Sequence, residues 1–325
     1  MKIATRILVL AMLLPALNWL YVHTSYKSYL FEEADQLLQV EKVANCDVVY
    51  TSASSNFSPD PWHESHKKIS EFIGESNPEL LIEAFNIPAS HARIHTILLR
   101  RIPPSSSIRT VIATVNLRSF GADWQNSILE TPLNKKNVMY ADRPPLLNRF
   151  LVSLNFYDNK SDLERENIKL DLWAQTTLPL ERVKSNVIDW CAEEKWGDWT
   201  NPKRQLADQF IKQYAFVLDE SNATVHEFDA MIEICKERNW KLIMHILPEN
   251  IEKADSLVGS DLTDLMVQNA TWLERRFIGK GATVINNVDL LPSSCFTDKD
   301  FPTEHYNEVG RRSIASSFSN KLKTD

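Results

Sequence analysis

Glycine is scarce. Only 7 of the 325 residues are glycine, and none are grouped into a loop that would cradle phosphate. The dinucleotide fingerprint and the nucleoside-triphosphate loop both need closely spaced glycines, so a nucleotide-dependent enzyme is disfavoured. Basic charge is not in excess either. Lys and Arg total 36 against 43 Asp and Glu, giving a net charge of −7, and no Lys/Arg block or basic stripe interleaved with aromatics occurs. Nucleic acid is therefore not an expected partner. The four cysteines, Cys46, Cys191, Cys235 and Cys295, contain no C-x-x-C pair, which gives no zinc signature, and neither metal nor cofactor is expected. They are read as structural, either disulfides whose pairing the sequence does not choose or buried thiols. Repeats and low-complexity tracts are lacking. A chain that is 43% hydrophobic and 24% charged can bury one large core.

The N-terminus is the clearest compositional feature that is present. Lys2 and Arg6 precede an uncharged run from Ile7 to Tyr26, rich in Leu, Val, Ala and Met. Its apolar heart falls slightly short of the ~20 residues of a full span, with Trp19, Tyr21 and Tyr26 suited to an interface. No small-residue cleavage site closes the run, which favours an uncleaved signal anchor over residues 1–26 rather than a cleaved signal. Positive charge before the run and Glu32, Glu33 and Asp35 after it place the N-terminus inside the cell and the rest outside, in a single-pass membrane protein.

Residues 27–45 read as a helical spacer, part of one helix from Tyr26 to Val43. The remainder, 46–325, alternates strand and helix. Strands are expected at Cys46–Ser52, Pro78–Phe85, Ser107–Asn116, Lys241–Leu247 and Thr283–Asn286. Helices are expected at Trp62–Ile73, His91–Arg101, Leu206–Leu218, Thr224–Asn239, Leu262–Ile278 and Glu308–Lys323. This order predicts an α/β fold, a doubly wound, mostly parallel five-stranded sheet with helices on both faces. From about 118 to 205 the alternation breaks into short apolar pieces with five tryptophans. This is read as a Trp-rich insertion, a packed subdomain rather than a sugar-binding platform.

In an open parallel sheet, ligands bind outside the carboxyl ends of the strands. That rim should collect the small polar cluster Ser52–Asn56, the loop to Ser90, Asn116, Pro248–Asn250 and His305. A serine hydroxyl is a poor nucleophile until a base takes its proton, and an imidazole oriented by a carboxylate is the usual base. Ser54 and His305 meet that need, with Asn116 a candidate amide for the developing oxyanion. His91 and His95 are four apart on one helix face, but no third ligand is evident; they are read as structural, or His91 as lining the rim.

The run Asp47-Val-Val-Tyr-Thr-Ser-Ala-Ser54, then Asn116, then Thr303-Glu-His-Tyr-Asn-Glu-Val-Gly310 resembles, in chain order, three blocks of the SGNH (GDSL-type) hydrolases. An anchor followed directly by the serine block also resembles the membrane-anchored members that act in envelope acylation beside a membrane O-acyltransferase. The resemblance implies a serine-dependent esterase or O-acyltransferase acting on an envelope glycan or similar acylated substrate. Ser54 would be the nucleophile, His305 the base, and Asn116, Ser55 and Ser90 would line the oxyanion or substrate site. The pattern departs where Ser52 and Ala53 replace the turn Gly-Asp, where the second-block glycine has no counterpart, and where Pro302 stands three residues before the histidine in place of Asp. Glu304, or else Asp300, is then expected to orient His305. The same departures suit an alternative, a scaffold that has lost catalysis and partners a membrane O-acyltransferase.

Overall fold

The computed structural model describes residues 2–57, 65–158, 160–180, 186–319 and 321–322. Three helices come first: α1 (Lys2–Thr24), α2 (Tyr26–Glu33) and α3 (Asp35–Val43). The α/β region follows in the order β1 (Val48–Ser52), α4 (Ile69–Ser76), β2 (Ile82–Asn86), α5 (Ala92–Arg101) and β3 (Thr110–Val115). The expected insertion holds α6 (Ala122–Gln125), α7 (Glu130–Tyr140), α8 (Pro145–Ser153), α9 (Asp162–Gln175) and α10 (Val187–Cys191). Then come α11 (Pro202–Tyr214), α12 (Ala223–Glu237), β4 (Lys241–Ile246), α13 (Ile251–Leu257), α14 (Ser260–Gly279), β5 (Thr283–Asn286) and α15 (Glu308–Ser316).

The five strands form one sheet in the order β2-β1-β3-β4-β5, and every pairing is parallel. Alternation along the strands divides the core between two faces. Val49, Val111, Ala113, Leu242, Met244 and Ile246 face one cluster with α5, α12 and α14. Val48, Tyr50, Ile112, Ile243 and Ile285 face a second, packed against Phe72 and Ile73 of α4 and Ile314 of α15. Strands buried on both sides read as continuous apolar runs, which is why they are legible in the sequence.

Several expected boundaries shift. The single helix expected from Tyr26 to Val43 is two, broken at Ala34, whose backbone (φ −147°, ψ 42°) is not helical and whose side chain is buried. Strand β2 begins at Ile82 because Pro78 and its neighbours form a turn. The helix expected from Trp62 starts at Ile69, its first residues lying outside the described ones, as does Lys323 at the other end of the chain. Within the insertion, Trp173, Trp190 and Trp196 are buried in the same cluster as the sheet. All four cysteines are free and buried. Among the described residues no helix is long and apolar enough to cross a membrane.

Candidate active site

The strand order reverses between β1 and β3, and there the sheet opens its crevice. Ser54 leaves the end of β1 at the start of a short 3-10 turn, Ser54–Asn56. Asn116 follows β3 directly. The loop after β5 returns across this rim and carries His305. It closes as a hairpin: Phe296 bridges Tyr306 in antiparallel fashion, Thr297 N–H donates to the His305 carbonyl (3.0 Å), and Asn307 N–H donates to the Cys295 carbonyl (2.9 Å). Tyr306 also donates its hydroxyl to the Pro248 carbonyl at 2.8 Å, tying the hairpin to the end of β4. Gly310 in α15 allows this close packing, since a Cβ there would lie 3.1–3.2 Å from Tyr306, Cys295 and Leu291.

The hairpin brings three side chains into line. Ser54 Oγ lies 2.9 Å from His305 Nε2, and His305 Nδ1 lies 2.8 Å from Asp298 Oδ2. That carboxylate oxygen also accepts from the Thr303 hydroxyl. His305 and Asp298 remain partly open, with side chains 22% and 34% exposed, so a substrate can reach the serine and its base. The arrangement can pass a proton from Ser54 to an imidazole whose other nitrogen is held by a carboxylate.

Ser54 and His305 thus come together, while the orienting carboxylate is neither of those expected from the sequence. Glu304 is 4% exposed and points away from the His305 ring, because adjacent side chains next to a β-bridge lie on opposite sides. It receives Arg118 Nη2 at 2.6 Å, Arg118 Nε, and the Asn116 amide at 2.7 Å. Asp300 is exposed toward the hairpin tip and reaches neither ring nitrogen of His305 among the described residues. Asp298 was missed because the bridge between Phe296 and Tyr306, rather than sequence distance, sets which carboxylate meets the ring. Seven residues apart in sequence, Asp298 and His305 are neighbours across the hairpin.

Asn116 is committed in a different way from that expected. Its Nδ2 donates one hydrogen to Glu304, and its Oδ1 accepts from Arg118 N–H at 2.9 Å. The side chain therefore braces the loop under the site, with at most one amide hydrogen left for the Ser54 side. The donors that do remain at the serine are backbone N–H groups at the start of the 3-10 turn, which have no intrahelical acceptor. Ser55 is buried, and its hydroxyl has no partner among the described residues. Ser52 instead bonds Asn86 (2.8 Å), a link within a polar network that includes Asn56 and Ser70.

Ser90 sits beside this rim with its Oγ 2.8 Å from His95 Nε2, a second serine–histidine contact. Burial, reinforced by His91, pushes the His95 pKa down to about 3, and among the described residues its other nitrogen meets no partner. A ring that resists protonation is a weak base, so this pair does not duplicate the first. Between Ser52 and Ser90, Ala89 takes a left-handed backbone (φ 58°), the conformation glycine normally supplies. Ala53, Ser90, His91 and Asn116 line one recess of about 20 Å³, enough for a single water. His91 Nδ1 lies 3.0 Å from Glu227, which also pairs with Arg93. Among the described residues no three His, Cys, Asp or Glu side chains form a metal-binding group.

Beneath the triad lies a buried charge cluster with no counterpart in the sequence reading. Arg118 is 6% exposed, between the rings of Trp124 (5.2 Å) and Phe301 (6.0 Å), and also donates to Gln213 at 3.1 Å. Burial disfavours its charge, but the adjacent Glu304 carboxylate more than compensates and holds its pKa above the ordinary arginine value. Glu249, fully buried, accepts from the Tyr214 hydroxyl at 2.6 Å and from Leu117 N–H at 3.3 Å. Burial first, and then the charge of Glu304, push its pKa well above that of an ordinary carboxyl. Two carboxyl groups lie near one cation, and Glu249 is the one whose charge is the more disfavoured.

No protein-family model and no curated protein matches the chain. Similar solved structures include a GDSL-like lipase from Bacteroides thetaiotaomicron (11% identity, TM-score 0.33, covering 91% of this chain and 95% of that one). A Bacteroides fragilis protein provisionally described as an acylhydrolase shares 9% identity (TM-score 0.36, covering 88% and 92%). A Streptococcus pneumoniae protein provisionally described as a platelet activating factor shares 10% (TM-score 0.40, covering 96% and 99%). At such identities and TM-scores the likeness carries no argument, and the geometry of the site alone bears on chemistry.

Proposed function

We propose that this protein is a serine-dependent acyl-transfer enzyme, an esterase or O-acyltransferase, with Ser54 as nucleophile, His305 as general base and Asp298 as the carboxylate that orients it. The observation that carries this reading is the continuous chain from Ser54 Oγ through both ring nitrogens of His305 to Asp298, with links of 2.9 and 2.8 Å. In the first half-reaction His305 takes the hydroxyl proton as Ser54 attacks the ester carbonyl. The imidazolium then returns that proton to the departing alcohol, leaving an acyl-serine. Water gives hydrolysis in the second half-reaction; a sugar hydroxyl gives transfer. An acylated envelope glycan is the proposed substrate. The test is p-nitrophenyl acetate with and without a soluble oligosaccharide acceptor, following both nitrophenol release and the fate of the acetyl group. Release of nitrophenol that depends on Ser54 is expected. Its absence in folded protein would favour the second reading.

That second reading, a non-catalytic partner of a membrane O-acyltransferase, draws on one specific observation. The Asn116 amide already donates one of its two hydrogens to Glu304, which leaves at most one side-chain N–H there for an oxyanion.

The location we propose is a membrane-anchored protein whose bulk lies outside the cytoplasm. The support is the uncharged run from Ile7 to Tyr26 behind Lys2 and Arg6, most of it carried on α1. A reporter active only outside the cytoplasm should function when fused after Asp325. Function of a cytoplasm-only reporter at that position would reverse the topology.

A further inference from the structure

Helix α8 has a buried side and an outward apolar side. Asn148 and Val152, four apart, are buried against the body of the protein, and Asn148 donates to the Met139 and Ala141 carbonyls. Leu147, Phe150 and Leu154, at spacings of three and four, form an outward stripe exposed by 43%, 55% and 58%. A helix on a water-facing surface presents polar residues at those positions. Phe156, just beyond, is also exposed.

The stripe is continuous with the N-terminal helix. Asn18 Oδ1 accepts from Leu146 N–H at 3.0 Å, which fastens α1 to the start of α8. Leu14 and Pro15 of α1, with Pro144, Leu147 and Phe150, line an open apolar groove of about 620 Å³ between the two helices. On α1 itself Met12, Leu13, Leu14, Leu17, Trp19 and Leu20 are all exposed. A helix apolar around its circumference has no stable place in water. Polar groups of the kind found at a bilayer boundary fringe this surface. Arg149 stacks its guanidinium on the Tyr29 ring at 4.4 Å, and Arg143 donates to Asn148 and to the Val138 carbonyl, neutral partners in each case.

We infer that the outward face of α8 is a lipid-contacting surface, lying in the headgroup–acyl boundary beside α1 and seating the catalytic domain directly on the bilayer. This rests on the anchor reading above, and adds to it that the domain is not held off on a spacer. Apolar residues dip into the acyl region while the flanking arginines meet phosphate.

The test uses the full chain with one introduced cysteine, at Phe150→Cys or Leu154→Cys, carrying an environment-sensitive nitrobenzoxadiazole label. The native cysteines are buried. Val309→Cys, at an exposed position on α15, serves as the control. The protein is reconstituted into vesicles of phosphatidylcholine and phosphatidylglycerol, with and without brominated acyl chains. Emission from both α8 labels should move to the blue and be quenched by bromine, with the control label unchanged. A blue shift without quenching means that protein covers the stripe, a second copy or a membrane partner, and overturns the inference. Co-flotation with no shift overturns it too, while leaving the anchor reading intact. Failure to co-float with vesicles removes the anchor reading and this inference together.

Discussion

Replacing Ser54 by Ala is expected to lower turnover of an activated acetyl ester by about 10⁶-fold, the scale seen when a triad nucleophile is lost. The residual rate would come from the backbone donors of the 3-10 turn and from binding. The companion substitution separates the carboxylates. Asp298→Asn should cost about 10⁴-fold, because the imidazole loses both its tautomer control and the charge that stabilises imidazolium. Asp300→Asn should change turnover little, since Asp300 reaches neither ring nitrogen of His305. Glu304→Gln acts through a different route, by weakening the Arg118 pair under the hairpin. Steady-state kinetics on the four variants, with circular dichroism to confirm folding, check this. Equal loss from Asp300→Asn and Asp298→Asn would contradict the assigned triad.

The second large effect is on stability. Arg118→Met removes the only cation that meets Glu304 among the described residues, and leaves a carboxylate buried beside Glu249. Breaking a buried pair from one side costs about 3–5 kcal/mol, more than the pair contributes relative to an apolar replacement. Glu249→Gln should behave oppositely. Glu249 holds its proton in the folded state at pH values where the unfolded chain has released it, since its folded pKa is raised. The native state then binds more protons than the unfolded state, so this group's contribution is present below the ordinary glutamate pKa of about 4.3 and falls as pH rises toward the raised value. The glutamine variant should lose that slope in urea unfolding measured across this range, with little loss of stability at low pH. An unchanged slope would mean that Glu249 is ionised in the folded protein.

How much of this was legible beforehand follows the physics of each element. The five strands showed themselves because β-branched runs such as Val48–Ser52 and Thr110–Val115 are buried on both faces, and their polar ends marked the functional rim. Ser54 and His305 followed from that rule and from chain order. The helices inside 118–205 did not, since α7 carries no clear apolar period and α8 buries one narrow side while exposing another. Helix α13 is absent from the expected elements because its seven residues are too few to show a period. The carboxylate was misread for a nameable reason. The expectation fell on Glu304, whereas alternation beside the Phe296–Tyr306 bridge sends neighbouring side chains to opposite sides. The Phe296–Tyr306 bridge sets His305 across from Thr297, one residue from Asp298. The Arg118–Glu304–Glu249 cluster joins three distant segments, and no local pattern announces it.

The central claim is that Ser54 is a nucleophile activated by His305. Its most direct test is the intact mass of the folded protein after exposure to a serine-directed fluorophosphonate, followed by peptide mapping. A single adduct on Ser54 is expected, absent from Ser54→Ala and strongly slowed in His305→Ala. An adduct that persists in folded Ser54→Ala, or a folded native protein that takes none, would contradict it.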